Sequence, residues 1–365
     1  MKTSYRYCCL KHKKSNLPAG LEKTRFALLL TNGSKWVNGT NLSYYFFEVG
    51  AGSYVKNEDG TTTWKRWNGS AKEKEKVRLG FKKWEALGIG LSFTEVKSRE
   101  EADIRIGFMK GDGCWSCVGR ESWSVSRNQR TMNFGWDITT TSRANGIDTI
   151  LHEIGHAIGF QHEHQNPEGG IVWDEKAVYE NLFGDPNFWS KTDIRDNVLT
   201  PLNINDVEGS GWDPDSIMHY PFEPKLIKKP EKYYLKGLTP KGGFSSRDIA
   251  TVKKIYPKKP GRKLEKLKLM DTYTLALENA EQKDFSFTPL ENRNYTIQTF
   301  GKLDAVVVVM EKTTNNSLVY LTADDNSGTD KNAMINVSLK KGKTYLIKVR
   351  VFYRKAKDPS VIMIW

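Results

Sequence analysis

The stretch LHEIGHAIGFQHEHQNPEGG, residues 151–170, constrains this chain more than any other feature. The chain has six histidines, and His152, His156, His162 and His164 all fall here. Apolar residues from Ile147 to Phe160 recur with helical period, so the spacing predicts a helix. Residues four apart on a helix share a face, which sets His152 and His156 side by side. Two neutral imidazoles so placed suit a zinc ion at about 2.0–2.1 Å from each nitrogen. Gly159, three residues after His156, ends the helix, because glycine takes a positive φ without strain. The chain can then swing back and bring in His162 as a third nitrogen donor. Three protein ligands leave one position open, the arrangement of a catalytic zinc rather than a structural one. Glu153, next to the first ligand and angled away from the ion, is placed to take a proton from a water activated by the metal. Composition alone would yield HExxHxxGxxH in roughly one of 10⁵ chains of this length, so a buried helix with incidental histidines is the poorer explanation. His164 lies two residues beyond His162 and cannot easily join the same ion. It reads as a supporting histidine.

HExxHxxGxxH is the signature of the metzincin metallopeptidases, which this chain therefore resembles. The following Glu163 extends it to HExxHxxGxxHE and narrows the resemblance to the astacin branch. Downstream, DSIMHY (Asp215–Tyr220) is similar to the astacin methionine turn. GCWSCVGR (Gly113–Arg120) is like the family's Cys-rich loop, with a cysteine where a tyrosine or another residue is more usual. HEHQNPEGGIVWDEKAVYENL looks like a bacterial subgroup of astacin-like secreted peptidases. The resemblance runs from about Ser34 to Pro257. It implies that Met218 floors the zinc site and that Tyr220 is a switchable fifth ligand whose hydroxyl stabilises the oxyanion. It also implies that Glu163 contacts a new N-terminus after processing, and that His219 supports the turn. The implied reaction is zinc-dependent hydrolysis of peptide bonds in extracellular proteins, with Glu153 as general base. The strand near Thr131–Phe134 is the candidate edge on which an extended substrate pairs. The segment QNPEGG departs from the better-known members, which leaves cleavage specificity open.

The four cysteines form two close pairs, Cys8–Cys9 and Cys114–Cys117. An even number suits disulfides in a secreted protein, with the pairing undetermined. A four-thiolate zinc site is weaker, because one half is CC rather than CxxC, and a redox motif is weaker still. A thiol from Cys8 or Cys9 could instead block the catalytic zinc, since thiolate is a good ligand. The N-terminal MKTSYRYCCLKHKK lacks the apolar core of a signal peptide, so the leader expected of an exported protein is not visible. No apolar run approaches the length of a membrane span, and FALLL and AVVVVM are only strand-sized. The formal charge of +13 is spread over scattered lysines without a nucleic-acid module, so it reads as a solvated surface. These readings imply a protein or peptide substrate, no nucleic acid, no membrane insertion and a monomer.

Residues 1–30 read as an N-terminal arm or short pro-segment. Residues 31–257 read as an α+β metzincin domain, a twisted mixed sheet plus the active-site helix. PKKPGRK supplies a linker at 258–263. Residues 264–365 hold many short strand-like runs divided by turns, which predicts an all-β sandwich, jelly-roll-like. FGKLDAVVVVM, TADDNSG and LKKGKTYLIKV make this part similar to bacterial pre-peptidase C-terminal domains. Such modules assist secretion or attachment. The acidic turn at Asp324–Asp325 offers a possible Ca2+ site, although a solvated turn suits it better. A binding or adhesion protein that works through this sandwich, with an accessory or inactive protease domain, is the competing class. The intact ligand set and Glu153 argue against it.

Overall fold

A computed structural model describes residues 5–8, 35–36, 38–57, 59–140, 142–202, 211–258, 264–277, 282–313, 318–354 and 360–365. Most of the expected arm, including Cys9 and FALLL, and most of the expected linker lie outside the described residues. The chain divides into two compact units, residues 1–36 with 42–254, and residues 37–41 with 255–365.

The first unit begins with β1 (Asn41–Phe46), whose alternating burial matches its alternating sequence. Next come the hairpin β2 (Gly52–Lys56) and β3 (Thr62–Arg66), and then helix α1 (Ala71–Ala86). Ser70 and Glu73 cap α1 reciprocally, and the helix buries Val77, Gly80, Phe81 and Trp84. Strands β4 (Ser92–Glu95), β5 (Ile104–Gly107), β6 (Trp115–Ser116) and β7 (Met132–Asn133) complete a sheet ordered β4-β1-β5-β7-β6. β5 runs parallel to β1 and β7, and β6 closes the sheet antiparallel to β7. The expected substrate edge is therefore corrected. The Thr131–Phe134 segment is interior, because β6 takes up its free side.

β5 also carries Arg105, fully buried, with no carboxylate paired to its guanidinium among the described residues. The side chain donates instead to the carbonyls of Ala102, Ser122, Val125 and Gln129. Burial depresses its pKa to about 10, so it stays charged and ties down the loop between β6 and β7.

Helix α2 (Ile147–Ala157) packs against α1 at Gly80, whose missing side chain makes room for Ile150 and Ile154. A Cβ on Gly80 would come within 2.4 Å of the Ile150 side chain. The Trp84 indole donates to the Leu151 carbonyl at 3.1 Å. Beyond α2 come β8 (Val172–Trp173), α3 (Glu175–Leu182), α4 (Lys191–Ile194), β9 (Ile227–Lys229) and α5 (Ser246–Ile255). Past α4 the backbone loosens into a π-turn, Arg195–Leu199. Among the described residues, no helix is long and apolar enough to cross a membrane.

The second unit is a two-sheet sandwich. One sheet is ordered β10 (Glu265–Lys266), β12 (Gln282–Phe287), β17 (Thr344–Arg354), β14 (Leu303–Lys312), β15 (Leu318–Asp324). The other is ordered β11 (Thr272–Thr274), β18 (Val361–Ile364), β13 (Arg293–Phe300), β16 (Met334–Leu339). The AVVVVM run is β14, and it is apolar throughout because both its faces are covered. Ala305, Val307 and Val309 join the core shared by the two sheets, while Val306, Val308 and Met310 pack with Leu264, Leu318 and Leu346 on the other side. The Asp324 carboxylate accepts from Ser327 N at 3.0 Å, Ser327 Oγ at 2.5 Å and Met334 N at 2.8 Å, which closes the β15 turn with local donors.

Candidate metal centre

Every residue of α2 from Asp148 to Ala157 is buried, so its histidines work away from bulk water. The helix ends in two backbone hydrogen bonds, Gly159 N to His156 O at 2.8 Å and Phe160 N to Gly155 O at 3.0 Å. Together with φ of +101° at Gly159, this is a Schellman closure. The chain then doubles back, and Glu163 N donates to Met218 O at 3.0 Å, which fastens the third histidine's segment to the methionine turn.

The three expected ligands converge. His156 Nε2 lies 3.1 Å from His152 Nε2 and 3.1 Å from His162 Nε2. On the far side of each ring, His152 Nδ1 faces the Ile217 carbonyl at 2.8 Å and His156 Nδ1 faces the Phe160 carbonyl at 2.8 Å. A carbonyl only accepts, so Nδ1 of each ring carries the proton and the Nε2 lone pairs point at one another. Lone pairs that close repel unless a cation sits among them. Burial also holds the imidazoles neutral, pushing His152 down to about 4 and His162 well below its usual value. A metal ion that prefers nitrogen donors, such as zinc, fits this set.

Cys8 belongs to the same cluster. Its Sγ lies 3.6 Å from His156 Nε2, 3.7 Å from His162 Nε2 and 3.7 Å from Glu153 Oε2. Among the described residues, Cys8, His152, His156 and His162 form the group able to hold a metal. The cysteines accordingly depart from the disulfide expectation, since Cys8, Cys114 and Cys117 form no disulfide among the described residues. Cys114 and Cys117 flank the extended β6, which separates their Cα atoms by about 10 Å, beyond the roughly 7 Å a disulfide spans.

Glu153 is completely buried, and burial pushes its carboxyl up to about 8. Its Oε1 has no hydrogen-bond partner among the described residues. Tyr220 is buried over the ligands, with ring centroids 4.4 Å from His162 and 5.8 Å from His152. Its hydroxyl donates to the Cys8 carbonyl. Met218 packs against α2 at Gly155, where an added Cβ would come within 2.4 Å of its Sδ. Glu163 Oε1 accepts from Asp213 N at 2.8 Å and Asn166 Nδ2 at 3.0 Å. His164 donates to the Asn197 carbonyl at 2.8 Å, and His219 Nδ1 faces the Tyr220 carbonyl at 2.7 Å. Neither belongs to the metal-binding group.

Two further residues carry weight that the sequence only hinted at. Ser245 and Asp248 cap α5 reciprocally. The same Asp248 carboxylate also accepts from Ser216 Oγ at 2.7 Å and Ile217 N at 2.8 Å, so it anchors the methionine turn as well. Asn187 holds the segment that bears Cys8, and no motif announced it. A cavity of about 140 Å³ opens beside the cluster, lined among others by Asn145, Asp148, Thr149, Pro221 and Thr239.

Three buried histidines thus meet at the end of a glycine-terminated helix, beside a buried carboxylate and a turn fastened to the third histidine's segment, the arrangement that HExxHxxGxxH produces. The chain belongs to the astacin family of peptidases, whose model matches residues 65–257. It is 33% identical to Protein SpAN of Strongylocentrotus purpuratus over 117 residues, 32% of this chain and 16% of that protein. It is 29% identical to mouse (Mus musculus) meprin A subunit alpha over 179 residues, 45% of this chain and 20% of that protein. These matches thus span a fifth or less of those relatives' length. Among solved structures, myroilysin aligns with a TM-score of 0.53 and 28% identity, covering 63% of this chain and 99% of that chain.

Proposed function

We propose that this chain is a zinc-dependent endopeptidase acting on proteins outside the cell, and that Tyr5–Cys8 hold it latent. The observation that carries the reading is the meeting of three imidazole Nε2 atoms beside a buried carboxylate with one oxygen unpartnered among the described residues. His152, His156 and His162 hold the ion, and the Ile217 and Phe160 carbonyls fix the orientation of two of the rings. A zinc ion held there supplies Lewis-acid polarisation of a carbonyl and a more acidic water. Glu153 takes the water's proton on its carboxylate and returns it to the amine that leaves as the C–N bond breaks. The Tyr220 hydroxyl donates to the carbonyl oxygen as charge gathers on it.

Cys8 engages all three parts of this machinery. Its sulfur stands against the histidines, its thiol faces Glu153, and its carbonyl occupies the Tyr220 hydroxyl. Cys8→Ser removes the soft donor from the histidines, while the backbone carbonyl at position 8 still faces the Tyr220 hydroxyl. The full chain carrying Cys8→Ser should therefore cleave casein at least about tenfold faster than wild type, and a zinc chelator should abolish the activity. Adding Glu153→Gln should cut turnover by about 10²–10⁴ while zinc content, measured by atomic absorption, stays at one ion per chain. No chelator-sensitive cleavage from Cys8→Ser would reject the peptidase reading. Equal activity of wild type and Cys8→Ser would reject latency.

A further inference from the structure

The residues that hold Tyr5–Cys8 in the cleft fall into two sets, and the two sets read different things. Asn187 reads backbone. The Tyr7 N–H donates to Asn187 Oδ1 at 3.0 Å, and Asn187 Nδ2 donates to the Tyr5 carbonyl at 2.9 Å. In an extended chain, the C=O of one residue and the N–H two residues on project from the same edge. The carboxamide therefore acts as one residue of a neighbouring strand, and any extended peptide satisfies it.

The second set reads a side chain. The Tyr7 ring is 4% exposed and packs between Trp189, Tyr220 and Phe222, at centroid distances of 6.1, 5.0 and 5.9 Å. These walls form a slot of ring size one residue from Cys8, and Tyr220 connects the slot to the metal centre. The Tyr7 hydroxyl is buried with no hydrogen-bond partner among the described residues. The slot thus accommodates the ring and gives the hydroxyl no hydrogen bond among the described residues; burial first, and then the nearby Glu223 carboxylate, hold its pKa well above the ordinary value.

We propose that this slot is a substrate subsite: when Tyr5–Cys8 leave, Asn187 grips the backbone of an extended peptide and Trp189, Tyr220 and Phe222 admit its aromatic side chain, phenylalanine ahead of tyrosine. The inference deepens the peptidase reading and rests on it. In this account Tyr7 is a resident imitation of the substrate's aromatic residue, and Asn187 and Trp189 are positioning and specificity residues rather than catalytic ones.

The test uses the full zinc-loaded chain with Tyr7→Ala and Cys8→Ser, which empty the slot, and Glu153→Gln, which prevents turnover. Binding of fluorescein-labelled Tyr-Arg-Xaa-Ala-Gly is followed by anisotropy, with Xaa phenylalanine, tyrosine, leucine or alanine. Phenylalanine should bind about tenfold or more tighter than alanine, from burial of the ring. It should bind about fivefold tighter than tyrosine, because the slot leaves a hydroxyl unpaired. Asn187→Ala should weaken all four peptides by a similar factor and leave their ratios unchanged, since a backbone grip carries no side-chain information. Trp189→Leu should shrink the ratio of phenylalanine to alanine. If Trp189→Leu does not fold, the Asn187 and peptide comparisons still decide. Equal binding of the four peptides, or Asn187→Ala altering only the aromatic ones, would overturn the inference. Those results leave chelator-sensitive casein cleavage untouched, and loss of that cleavage leaves these binding ratios untouched, so the two readings fail separately.

Discussion

At Gly159 a single torsion, φ of +101°, decides where the third imidazole arrives. A side chain in that region costs about 1–2 kcal/mol, and relaxing the strain would swing His162 away from its partners. Gly159→Ala should therefore lower both thermal stability and zinc retention. Gly170 provides the control. It too has positive φ, 58°, but lies on an exposed turn where an added Cβ would meet nothing within 4 Å. Gly170→Ala should cost similar stability and leave zinc retention, titrated against a competing chelator, as in wild type. If both variants release zinc equally, Gly159 has no special hold on the site. The glycine and its neighbouring histidines were legible in the sequence because a helix end is local, settled within about one turn. Cys8 was legible only as one of two candidate thiols. Its place on the histidines depends on a contact spanning 145 residues to Glu153, which no local pattern encodes.

Elements were read well where period and cap agreed. In α1 the apolar recurrence of Val77, Phe81 and Trp84 sets the buried face, and the structure adds the Ser70–Glu73 cap at its start. Ser70→Ala should destabilise the protein by about 1 kcal/mol. Glu73, its capping partner, adds a pH dependence. Burial alone would raise its pKa, but the hydrogen bonds from Lys110 and Ser70 outweigh burial and hold it below the usual carboxylate value. A folded pKa below the unfolded one gives stability that is complete above about pH 5 and lost as pH falls through the folded value. The urea midpoints of wild type and Glu73→Gln should thus differ at pH 6.5 and converge towards pH 3. A gap that persists at pH 3 would assign the loss to packing instead. The hold of Asp248 on Ser216 and Ile217 of the methionine turn was not legible, because those partners lie over 30 residues away. β7 was misjudged for a related reason. A strand's sequence does not reveal whether another strand covers its second edge, and here the two-residue β6 does so.

On the scale of the whole molecule, the two units carry separate cores, and all four metal-binding side chains belong to the first. A ligand stabilises only the unit that binds it. Calorimetry of the full chain should show two transitions, with a chelator lowering one and leaving the sandwich's in place; a shift of both together would mean that the units melt as one. The family, the convergence of His152, His156 and His162 beside Glu153 and the β-rich character of the second unit could be taken from the sequence, because all rest on spacings of a few residues repeated along helix or strand. The tertiary structure decided the rest: that Cys8 stands against the histidines instead of forming a disulfide, that Asp248 braces the methionine turn, and that Asn187 and Trp189 grip Tyr7. Each of these joins side chains separated by tens to hundreds of positions. Such meetings are set by the path of the folded backbone and the closure of its loops, and hydrophobic period, turn chemistry and caps do not specify that path.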